Sequence, residues 1–191
     1  MKKKQNKNKE LIQKSAFGAV FSACACALLL IGGIFEILDM TASALASLAV
    51  LITYLEFGFS TALSVYAVSS ILSFILNPVA TSNVYYILLL GYFPVAKLII
   101  DNKFKNIRPL RALLKFLIFN IGCAAILFIF FKLTGADKIM QEFTIGALSP
   151  RYVIIIIFAL LNLFLVLYDR MISVLSVLYI RVLRRRFLSK R

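Results

Sequence analysis

The chain contains no histidine among its 191 residues, and only 8 acidic residues stand against 22 basic ones. Without histidine it lacks the commonest general base and the commonest metal ligand, so enzyme and metal-site functions lose most of their support. No catalytic residue, metal ion or cofactor is expected. The three cysteines, Cys24, Cys26 and Cys123, fall inside apolar runs and lack CxxC spacing. That argues against a disulfide framework or a thiolate cluster and leaves them as small packing residues. No Gly-x-x-x-x-Gly-Lys-Ser/Thr loop occurs, so the chain is not its own P-loop ATPase.

Charge of either sign is scarce, at 16% of residues, whereas 62% are hydrophobic. A chain of this length and composition is not a soluble domain burying one core; it is expected to be a multi-pass protein of the cell membrane. A net charge of +14 would suggest nucleic acid in a soluble protein. Here the basic residues flank apolar runs, so anionic lipid headgroups are the expected partners and nucleic acid is not. Lys2, Lys3, Lys4, Lys7, Lys9 and Lys14 precede the first run. Lys103, Lys105, Arg108, Arg111 and Lys115 fill one internal gap, and Arg181, Arg184, Arg185, Arg186, Lys190 and Arg191 close the chain. By the positive-inside rule all three clusters are cytoplasmic, which requires an even number of spans.

Six helices satisfy that requirement: an all-α membrane bundle with both termini cytoplasmic. A helix needs about 20 apolar residues to cross ~30 Å of hydrocarbon. The expected spans are 16–35, 41–56, 59–76, 83–100, 112–132 and 152–175, within one domain over 16–180 and between basic tails 1–15 and 181–191. The split at Glu56 and Gly58 divides an apolar stretch too long for one span. Asn77-Pro78 ends the third helix. Pro94 is expected to free a carbonyl near position 90 and kink the fourth, helped by Gly91. The Lys-rich start followed by Ala-x-Ala patterns at Ala23 to Ala27 imitates a secretory signal, and Phe21-Ser22-Ala23-Cys24 a poor lipoprotein box. The apolar run continues to Phe35, so a retained first helix is expected.

Small residues form stripes on several helices, recurring every four positions on the first. Ala19, Ala23 and Ala27 mark the first; Ala42, Ala46 and Ala49 the second; Ser60, Ser64 and Ser73 run along the third. Such stripes let helices approach closely, either within the bundle or on another protein. A chain of this length with six spans, both termini inside and Ala-x-x-x-Ala in the cytoplasmic half of helix one resembles the substrate-binding S component of energy-coupling factor transporters. The resemblance covers most of the chain in architecture but only this stripe in motif. It implies uptake of a vitamin or a precursor, with Ala19, Ala23 and Ala27 docking on a transmembrane coupling subunit and two ATPases supplying energy. The loop at Glu36 to Met40 is shorter than in many members of that family, and the lack of histidine argues against metal-ion uptake.

Polar groups at membrane depth each need a reason. Asn162, Asp169, Ser173 and Ser176 lie within an arc of roughly 60° on helix six at 100° per residue. They form either a stripe lining a polar interior or, the preferred expectation, a headgroup boundary at Asp169-Arg170 followed by a basic amphipathic extension over 171–186. Lys97 is expected to snorkel or to pair with Asp101 at i+4. Tyr85 and Tyr86 fit an ordinary aromatic belt. On the resemblance they also face the ligand region, together with Glu36, Asp39, Asn83 and the segment 133–150. Asn120 and Asn162 complete the candidate substrate-binding set as deep amides that need a partner in the bundle or a ligand. The rival functions are a non-transporting scaffold subunit of a cell-envelope complex, and a secondary carrier, against which the absence of a convincing internal repeat counts.

Overall fold

The computed structural model describes residues 2–134 and 150–183. The expectations placed on the segment 135–149 and on the tail from Arg184 lie outside these residues. Among the described residues there is no strand, and six helices are long and apolar enough to cross a membrane. The chain is an all-α, multi-pass membrane protein.

The first span belongs to α1, Lys2–Ile34, which begins well before the expected 16. Its early part is built from good helix formers, and the Glu10–Lys14 ion pair at 2.8 Å supports it at i,i+4 spacing. A single 3-10 turn at Glu36–Leu38 leads into α2, Asp39–Phe57. Gly58 then reverses the chain with φ +83, a conformation that suits a residue without a side chain, and α3 follows over Phe59–Leu76. The expected division of the long apolar stretch is thus present as a one-residue turn.

The fourth span, Thr81–Lys103, is interrupted. It consists of α4, Thr81–Tyr85, a π-helical turn over Tyr86–Leu90, and α5, Phe93–Lys103, with Pro94 in the first turn of α5. After a short connection come α6, Arg108–Thr134, and α7, Pro150–Leu178, the latter extended by π-helical residues Tyr179–Leu183.

Spans two and four are central: 50% and 56% of an 18-residue apolar stretch in each is buried, against 17–28% in the other four. They take part in both apolar clusters. One joins Leu51, Leu89, Phe93, Phe119, Leu165 and Ile172; the other joins Ala25, Leu29, Ala46, Val50, Val65 and Tyr86. The outer spans expose their large side chains, such as Ile71, Phe128 and Leu163, as lipid-facing helices do.

Contacts place the three basic clusters' described residues at a common end. Phe17 of α1 packs on Phe57 of α2 at 5.4 Å, the Tyr179 hydroxyl donates to Glu56 Oε1 at 3.0 Å, and Lys97 and Lys115 meet Asp169 of α7. At the far end Gly32 of α1 lies so close to α2, and Gly33 to the residue that precedes α4, that an added Cβ would stand 2.6 Å from the Cβ of Ala42 or of Ala80, respectively. Ser82 Oγ donates across this contact to Leu29 O at 3.0 Å.

Candidate functional site

The interruption of the fourth span follows from Pro94. Proline has no N–H, so Leu90 O loses its helical donor. The Tyr168 hydroxyl of α7 supplies a replacement at 3.3 Å. Two more tyrosines serve neighbouring carbonyls: Tyr66 donates to Ile87 O at 2.6 Å and Tyr92 to Leu88 O at 3.0 Å. Serines extend the network, since Ser69 is bonded to the Tyr86 hydroxyl at 2.8 Å and Ser47 to that of Tyr168. Each loose carbonyl would cost several kcal/mol in hydrocarbon, so these hydroxyls hold the break in one geometry. The expected break at position 90 is present; the hydroxyls that secure it were not foreseen.

One turn beyond the break, α5 carries Lys97 into the bundle with 1% of its surface exposed. Its ammonium lies 2.9 Å from Asp169 Oδ1 and 3.4 Å from Asp101 Oδ2, and it donates to Ser173 Oγ at 2.7 Å. Lys115 of α6 reaches Asp101 Oδ1 at 2.8 Å and Asp169 Oδ1 at 3.0 Å. Arg111 stands 3.8 Å from Asp101. Two carboxylates and two ammoniums therefore form one alternating cluster joining spans four, five and six. The i+4 pair of Lys97 with Asp101 occurs as expected, but the shorter contact is to Asp169.

This corrects the preferred expectation for α7. Asp169 does not mark the start of a surface extension: α7 runs unbroken to Leu178, Ile172 is fully buried and Ser176 nearly so. The stripe faces the bundle: Asn162, Asp169 and Ser173 find partners on other spans, and Ser176, bonded to Ser173 O of its own helix at 2.9 Å, is buried beside them. Opposite charges at similar depth on two apolar spans were the available signal.

The candidate substrate-binding residues divide into three groups. Asn120 and Asn162 meet each other, with Asn120 Nδ2 donating to Asn162 Oδ1 at 3.2 Å, and each also bonds its own helix at 2.8 Å. Tyr86 is wholly buried in the core between spans. Asn83, at 1% exposure, donates to Ser73 O at 3.0 Å and to Asn77 O at 2.6 Å, tying down the turn between α3 and α4. Tyr85 is half-buried and within electrostatic reach of the Asp39 carboxylate, so these two do share the far end of the bundle. The Glu36 side chain lies outside the described residues.

The chain matches no family model, no curated protein and no solved structure. The site must therefore be read from its own residues.

The three alanines of α1 behave differently from those of α2. Ala42, Ala46 and Ala49 are buried at 6%, 0% and 7% exposure, and they seat α2 against its neighbours. Ala19, Ala23 and Ala27 are all exposed, while Ser22, Ala25, Cys26 and Leu29 on the adjoining face of the helix are buried. Similar helical spacing of alanines thus serves packing in one helix and leaves a small-residue outward face on the other.

Proposed function

We propose that this protein is a substrate-binding membrane subunit of the S-component type. It takes up a small water-soluble nutrient, a vitamin or a precursor, with both termini in the cytoplasm. The observation that carries the proposal is the outward orientation of Ala19, Ala23 and Ala27. Leucine and phenylalanine cover most lipid-facing helices, and they cost nothing there. A row of alanines is unneeded against lipid but lets a second helix approach closely, because membrane helices associate through packing rather than hydrophobic exclusion. The occupant is a transmembrane coupling subunit, and its associated ATPase subunits supply the energy. Asp39 and Tyr85, with Glu36, remain the substrate-binding candidates at the far end.

A second reading, the scaffold subunit of a cell-envelope complex, draws support from Asn83, Tyr86, Asn120 and Asn162. These spend hydrogen bonds inside the chain, as packing groups do.

Affinity purification of the tagged chain from its native membrane separates the two. Wild type is expected to bring down a multi-span subunit together with ATPases, and Ala23→Leu to lose them while keeping its own fold. Intact assembly in Ala23→Leu would remove the docking role. Mass spectrometry of small molecules released from the purified protein is expected to find a bound nutrient, whereas a persistently empty protein points to the scaffold.

A further inference from the structure

The ion-pair cluster opens into a cleft of about 1070 Å³ between α5, α6 and α7 at the basic end. Five cations line it, Lys97, Arg108, Arg111, Lys115 and Arg170, against two carboxylates, Asp101 and Asp169. The two lysines take up both carboxylates at 2.8–3.4 Å. That leaves three guanidiniums. Arg111 has one long contact of 3.8 Å, and Arg108 and Arg170 make no ion pair among the described residues. The first turn of α6 also borders the cleft, and the positive end of that helix's dipole adds to the potential there.

Below this cationic mouth the walls are apolar. Leu113, Phe116 and Val166 line the cleft and are exposed on the lateral surface of the bundle, where hydrocarbon surrounds the spans. We propose that the cleft is a binding site for an anionic phospholipid, its phosphodiester held by Arg108, Arg111 and Arg170 and its acyl chains laid over Leu113, Phe116 and Val166. Three features favour a lipid over a free phosphate ion. The volume exceeds the roughly 300–1,000 Å³ of drug-sized sites and is far more than an inorganic anion fills. The site opens sideways toward lipid, and its polarity changes from cationic to apolar along the membrane normal, as a headgroup and its chains require. Guanidinium forks also match phosphate oxygens in pairs. The lysines act as positioning residues, since they hold Asp101 and Asp169 away from the anion.

The proposal does not depend on the docking face, which belongs to α1. It is tested by native mass spectrometry of the full-length protein in neutral detergent, titrated with phosphatidylglycerol, phosphatidylcholine or inorganic phosphate. Phosphatidylglycerol is expected to bind one per chain, at least about tenfold tighter than phosphatidylcholine, and Arg108→Gln/Arg111→Gln/Arg170→Gln is expected to remove that preference. If the triple variant does not fold, Arg170→Gln alone, at an exposed position, is expected to weaken phosphatidylglycerol about fivefold. Equal affinity for the two lipids, or unchanged affinity in the variants, would overturn the site. Displacement of the lipid by millimolar inorganic phosphate would overturn the lipid and leave a free-anion site.

Discussion

Replacing Lys97 with methionine is expected to lower the unfolding free energy in detergent by about 2 kcal/mol, less than the cost of a fully orphaned buried charge because the two carboxylates are about a quarter exposed and keep Lys115. The side chains are similar in length, so the loss is electrostatic. Asp101 and Asp169 are left to share Lys115, and the Ser173 hydroxyl loses the ammonium that donated to it at 2.7 Å. The double variant Lys97→Met/Asp169→Leu is expected to recover most of the loss, because Lys115 and Asp101 stay paired at 2.8 Å and an apolar pair is roughly as stable as a desolvated ionic one. Unfolding curves of the three proteins in the same micelle decide the matter. If Lys97→Met unfolds within about 0.5 kcal/mol of wild type, below the usual cost of breaking a buried pair, the cluster does not hold spans four to six together.

Gly122 is the second sensitive position. α6 passes so close to the interrupted span that a Cβ at this site would lie 2.6 Å from Leu88 O and 2.8 Å from Leu89 Cδ1. The carbonyl belongs to the backbone of the π-helical turn and is already accepting from Tyr92, so it has little freedom to move. Gly122→Ala is expected to cost about 2 kcal/mol by overpacking. Gly122→Leu is expected to yield no monodisperse protein on size-exclusion chromatography. Gly18→Ala is the matched control, because its Cβ would meet Val65 Cγ2 at an ordinary 3.7 Å, and wild-type behaviour is expected. A monodisperse Gly122→Leu would contradict the close approach of α6 to the fourth span.

Much of this fold was legible in the sequence because membrane helices are constrained by length and polarity. Six apolar runs, the reversal at Gly58 and the break before Pro94 each follow from a local rule. The start of α1 did not, since Lys, Gln and Glu are good helix formers whose polarity hides the continuation of a helix beyond the bilayer. Asp169 was misplaced for a different reason. The run 152–168 is nearly long enough to span alone, so a local reading ends the helix there, whereas the partner that draws Asp169 inward, Lys97, is remote in the chain. The tyrosine and serine hydroxyls were likewise invisible until the carbonyls they serve had positions. Spacing alone also fails to distinguish the stripes of α1 and α2, both of which keep alanines on one helix face, one outward and one into the bundle.

The direct measurement of the docking face is site-specific photo-cross-linking in the native membrane, with a photoreactive side chain at position 23 and, for comparison, at the lipid-facing position 128. The account predicts a cross-link from position 23 to a multi-span subunit that co-purifies with ATPases, and none to that subunit from position 128. Cross-linking from position 23 to lipid alone would contradict it.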